Sequence, residues 1–164
     1  MSMLKNIKYP IIVLLVACIT YISASALANS GPYVRPIEYY QEHLRSNVGF
    51  YIYKGSNDTK YNCLAYVLGV TTATIWPWGG SNPSASEMTS VLNQFGYSST
   101  NNGPPSNPPK LIVYGTLNNV GHIAKVTSST STASKWGPLE IVDTYSLSPY
   151  NSSPGYGPAV QYYY

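Results

Sequence analysis

Apolar positions along this chain change their period part-way, and the change separates predicted helices from predicted strands. Behind an apolar run from Ile11 to Ile22, Ile37, Tyr40 and Leu44 recur at helical spacing, and Pro36 suits a first helical turn. A short amphipathic helix is therefore predicted from Pro36 to Leu44. Phe50 to Tyr53 reads as a short strand before a Gly55–Asp58 turn. A second helix is predicted over Asn62–Gly69, with Asn62 as N-cap, Gly69 as stop and Cys63 in the first turn. Ser84 and Glu87 form a capping box, and Met88, Val91, Leu92 and Phe95 share one face of the helix that follows, which ends at Gly96.

From Ser98 to Pro109 the chain is rich in Asn, Pro, Gly and Ser and is predicted to be an exposed loop. Strand patterns then take over. Leu111–Tyr114 is one strand, Asn118-Asn119 a turn, and His122–Val126 the next strand. Thr127–Ala133 reads as a loop, a further strand runs through Glu140–Tyr145, and Val160–Tyr164 offers an edge strand. Helices first and antiparallel strands after predict an α+β fold. No internal repeat is visible.

The leader sets the compartment. Lys5 and Lys8 precede the apolar run, and Ala24, Ala26 and Ala28 provide A-x-A cleavage sites, so residues 1–28 are predicted to be a secretory signal peptide and 29–164 a single domain. Leu15-Val16-Ala17-Cys18 also resembles a lipobox, which would make Cys18 a lipid anchor. The apolar run falls short of the ~20 residues a membrane span needs. Localisation is predicted as secreted or cell envelope, with no membrane span.

Composition narrows the function classes. Only 9 basic and 6 acidic residues occur among 164, which excludes coiled coils, basic nucleic-acid arms and acidic tails. Loss of the leader takes Lys5 and Lys8 and lowers the net charge from +3 to +1, too weak for electrostatic capture of nucleic acid. With 44% apolar residues the chain has enough to bury one core. Removing Cys18 leaves Cys63 as the lone thiol of an exported domain, to be read either as an inert buried side chain or as a reactive group.

Chemistry favours the second reading when the other pieces are placed. A thiol at a helix start meets unpaired N–H groups that stabilise its thiolate. A His oriented by a third polar group supplies the base. His122 at a strand start and Asp143 on the following strand fill those roles. Trp76, Trp78 and Trp136 are candidates for a substrate shelf and Lys135 for answering a substrate carboxylate, against core packing and a solvated loop charge. His43 is predicted on the exposed side of the first helix. No metal site and no cofactor are predicted.

A Cys at a helix start, then His and a polar residue on successive strands, resembles the papain-like cysteine hydrolases, particularly the NlpC-type bacterial cell-wall amidases and endopeptidases. More closely, Asn62-Cys63-Leu64-Ala65, Trp76-Pro77-Trp78, His122-Ile123-Ala124-Lys125 and Ser134-Lys135-Trp136-Gly137 are similar to a secreted bacterial group with NC-x-A, H-x-A-K and SK-x-G blocks. NlpC-type enzymes carry Asp-Cys-Ser-Gly where this chain has Asn62-Cys63-Leu64-Ala65, and the closer group has His at the place of Asp143. The resemblance implies a papain-like fold with N-terminal helices packed on an antiparallel sheet. It also implies Cys63 as nucleophile, His122 as base and then acid, Asp143 as orienter, and a peptide or peptidoglycan-like substrate for a monomeric enzyme. Two alternatives stand beside a thiol hydrolase: a non-catalytic cell-wall or protein-binding module, and an acyl transferase or deamidase effector.

Overall fold

The computed structural model describes residues 31–45, 50–100 and 108–164. The predicted leader with Cys18 and most of the predicted Ser98–Pro109 loop lie outside them. Helix α1 spans Ile37–His43, β1 Tyr51–Gly55, α2 Cys63–Val67, α3 Ala85–Gln94 and β2 Ser99–Thr100. Strands β3 Leu111–Thr116, β4 Asn119–Ser128, β5 Ser131–Lys135, β6 Ile141–Thr144 and β7 Ala159–Tyr163 complete the order. All seven strands join one antiparallel sheet in the order β1-β6-β5-β4-β3-β7-β2.

Local chemistry accounts for the elements. Helix α3 starts on the predicted capping box, in which the Ser84 hydroxyl accepts from the Glu87 amide at 3.3 Å and the Glu87 carboxylate accepts from the Ser84 amide at 2.7 Å. The β3–β4 hairpin turns on Leu117 and Asn118, next to a bulge where Gly115 has φ +133° and a Cβ would stand 2.2 Å from the Asn119 carbonyl oxygen.

Each face of the sheet carries part of the core. On one, Leu111, Val113, Ile123 and Tyr163 pack under Leu64 and Val67 of α2 and Met88 and Leu92 of α3. On the other, Ile112, Tyr114, Ala124 and Val142 meet Tyr40 and Leu44 together with Trp136 and Tyr150. Each large side chain buried this way contributes about 2 kcal/mol.

This architecture corrects the expected papain-like, NlpC-type α+β fold. The helices have 7, 5 and 10 residues, and a five-residue helix is only ~7.5 Å long, too short to form a packing layer. Nor do helices precede strands: β1 comes before α2 and joins the sheet edge beside β6, while the tyrosine-rich tail enters as β7 between β3 and β2. The predicted helices exist as local elements but are trim on a sheet drawn from both ends of the domain. Among the described residues, no helix is long and apolar enough to cross a membrane.

Candidate functional site

Asn62 caps α2 as its type predicts, its side-chain oxygen accepting from the Ala65 amide at 3.0 Å while its Nδ2 donates to the Ile75 carbonyl at 2.9 Å. Those two bonds fix where Cys63 enters the fold. The second residue of the site is placed by the sheet. The Val126 amide bonds to the Lys110 carbonyl, so even-numbered residues of this part of β4 bond toward β3 and the odd-numbered Ile123 and Lys125 aim at β5. Lys125 finds its partner in Ala133, but the β4–β5 ladder extends no further toward His122. Beside Ile123 the sheet is open, and the Ile123 amide is one of the groups that favour the Cys63 thiolate.

Cys63 and His122 lie on opposite faces of the sheet. Cys63 belongs to the cluster with Leu111, Val113 and Ile123, whereas His122 shares its face with Ala124 and Tyr114. No hydrogen bond joins the two side chains, and His122 Nε2 has no partner among the described residues although the residue is 1% exposed. Tyr156 stacks on the imidazole with centroids 3.8 Å apart, and Tyr150 meets it edge-on at 5.2 Å. The Tyr150 and Tyr156 phenols are held above their ordinary range chiefly by burial, with a smaller push from Cys63.

Burial also sets the protonation states. It raises the Cys63 thiol to about 11, against the pull of the Ile123, Leu64 and Cys63 amides and the Lys135 charge. It lowers the His122 imidazole to about 3. At neutral pH both groups are uncharged.

The third predicted catalytic residue lies elsewhere. Asp143 stands in a cross-strand row with Ala133, Lys125 and Leu111, so its side chain is on the α2 face, opposite His122. Its carboxylate lies 3.7 Å from Lys54 Nζ and accepts from the Thr127 hydroxyl at 3.3 Å. Two of the predicted substrate-binding residues are core side chains. Lys135 is fully buried and donates to the carbonyls of Asp58 at 2.8 Å, Gly137 at 2.9 Å and Leu139, and Trp136 is 1% exposed in the core. Trp76 and Trp78 form an edge-to-face pair at 5.2 Å against the α2–α3 cluster. His43 is half-buried, its ring 5.5 Å from that of Trp136 and 6.3 Å from that of Tyr156.

Tyr150 and Tyr156 are the site residues that sequence reasoning passed over. Among 17 tyrosines no period marks them, and the one available signal is the Gly155-Tyr156-Gly157 triplet, which lets the backbone bring the ring close to its neighbours. Among the described residues, no group of three His, Cys, Asp or Glu side chains is placed to hold a metal ion. A family model described as "Domain of unknown function (DUF7689)" matches residues 52–164. No curated protein and no solved structure matches the chain.

Proposed function

The chain belongs to the DUF7689 family, a domain of unknown function, and we propose that it is a secreted bacterial thiol hydrolase cleaving an amide or peptide bond in a peptide or peptidoglycan-like substrate. One observation carries the reading: a buried thiol whose ionised form the Ile123 amide favours, with the neighbouring strand residue His122 a buried imidazole whose Nε2 has no partner among the described residues. Helix α2 is too short for its dipole to add much, and the groups that favour a developing thiolate are the amides of Ile123, Leu64 and Cys63 and the Lys135 charge.

In the reaction Cys63 Sγ attacks the substrate carbonyl carbon and His122 takes the thiol proton. The Cys63 amide donates to the tetrahedral oxyanion. His122 then returns the proton to the leaving amine as the C–N bond breaks, and water hydrolyses the thioester. In the closed arrangement that first transfer runs from a thiol near 11 to an imidazole near 3, uphill by roughly 10 kcal/mol. Desolvation causes both shifts, so the reacting state is one in which substrate displaces Tyr156 and polar groups enter the opening.

The same separation, with no bond between thiol and imidazole, favours a second reading, a module that binds wall or protein ligands without turnover. Peptidoglycan fragments digested with the parent chain, Cys63→Ala and His122→Ala decide between the two. Loss of product release in both variants, with unchanged thermal unfolding, supports the hydrolase. No release by the parent together with full binding by Cys63→Ala supports the module.

A further inference from the structure

A cleft of about 390 Å³ lies between the β3–β4 hairpin and the segment before β7. Four of its ten lining residues are glycines and none carries a charge. Its polar side chains include the amides of Asn82 and Asn119 and the hydroxyls of Thr116 and Ser152. Two lining residues lead to the candidate site: Gly121 directly precedes His122, and Tyr156 is the ring stacked on it.

We infer that this cleft is the substrate channel of the Cys63–His122 site and that it takes an uncharged peptide segment of small residues. The inference rests on the hydrolase reading and names its substrate class. A charged group entering the cleft would lose hydration and meet no counter-charge. Side-chain amides both donate and accept, as a peptide group requires. Glycine walls let a second backbone approach closely, and the volume is at the small end for ligand sites, room for a few small residues.

Gly121 supplies a selective test. A Cβ there meets only Asn82 Nδ2, at 3.7 Å, an ordinary contact, so a side chain is accommodated by the fold and projects toward the cleft. The probe is N-acetyl-trialanine amide, titrated by NMR into the full chain carrying Cys63→Ala. Saturable shifts at Gly121 and Ser152 are expected, with at least tenfold weaker binding when Glu or Lys replaces the central alanine. Gly121→Val should weaken binding at least tenfold with thermal unfolding unchanged, and Asn82→Ala severalfold, which decides the matter if the valine variant misfolds. No saturable shift, equal binding of the charged peptides, or indifference to the folded variants overturns the inference. Gly121-dependent binding without hydrolysis by the parent removes the hydrolase reading and leaves the cleft as a peptide site. Turnover of peptidoglycan fragments indifferent to Gly121→Val keeps the hydrolase and removes the cleft.

Discussion

Tyr156 covers His122: the two rings lie 3.8 Å apart with planes 8° from parallel. The segment carrying Tyr156 is tied back to the first helix, the Asn151 side chain donating to the carbonyl of Glu42 at 2.9 Å and that of Leu44 at 2.5 Å. The imidazole is thereby kept dry, and its uncharged state follows from this cover.

Tyr156→Ala should open the site. In the parent, a thiol held near 11 alkylates more slowly than free cysteine at pH 7.5. The variant is expected to react with iodoacetamide at least tenfold faster than the parent, with the Cys63 adduct confirmed by mass spectrometry. Equal rates in the two proteins would mean that Tyr156 does not control access to the thiol.

His122 should make the fold acid-sensitive. Its folded pKa, about 3, lies below the ordinary value near 6.5, so the unfolded chain binds the proton more readily and stability falls as pH drops. The contribution is fully present above pH 6.5 and is lost progressively toward pH 3, amounting to roughly 3 kcal/mol by pH 4. Urea unfolding of the parent and of His122→Gln at pH 7 and pH 4 measures it: the difference in stability between the two pH values should be smaller in the variant.

Local signals were legible in the sequence wherever one residue's chemistry decides a short segment. Asn62 caps α2, Ser84 and Glu87 cap α3, and Leu111–Tyr114 and His122–Val126 are paired strands as predicted. Cys63 starts α2 as predicted, and its side chain and that of His122 lie on opposite faces of the sheet. What the sequence hid depends on long-range pairing. The face of a strand residue follows from parity along a register, and neither the β4–β5 nor the β5–β6 register can be read before the strands are paired, so Asp143 looked as well placed for His122 as a residue one step along. The sheet's dominance was hidden for a related reason. Tyr51, Tyr114 and Tyr163 are buried, while Tyr53, Tyr145 and Tyr162 are not, so tyrosine content does not separate core positions from surface ones.

Asp143→Asn tests that parity argument. With Lys54 and Thr127 as its neighbours and its place in the row of Lys125, two residues along β4 from the opening at Ile123, the carboxylate has no path to orient the imidazole. Its ion pair with the exposed Lys54 amine is worth at most about 1 kcal/mol. Turnover in Asp143→Asn is expected within threefold of the parent and unfolding nearly unchanged, whereas a hundredfold loss of kcat at constant stability would put Asp143 back in the site.

Lys135 gives the largest expected loss of stability. Its ammonium group is fully buried, its pKa is lowered chiefly by that burial, and it donates to the carbonyls of Asp58, Gly137 and Leu139, tying the turn after β1 to the turn after β5. Lys135→Met keeps much of the volume but leaves these carbonyls without their charged donor, at about 3 kcal/mol or more. Lys135→Arg retains the charge but must fit a planar fork where a compact ammonium sat, so it should restore little. Chemical denaturation of both variants beside the parent checks the magnitude. Iodoacetamide rates measured under native conditions on the folded fraction separate two effects: loss of the nearby positive charge should raise the Cys63 pKa further and slow alkylation in Lys135→Met. Local unfolding would speed it, and faster alkylation would show that this lysine acts on Cys63 through the fold alone.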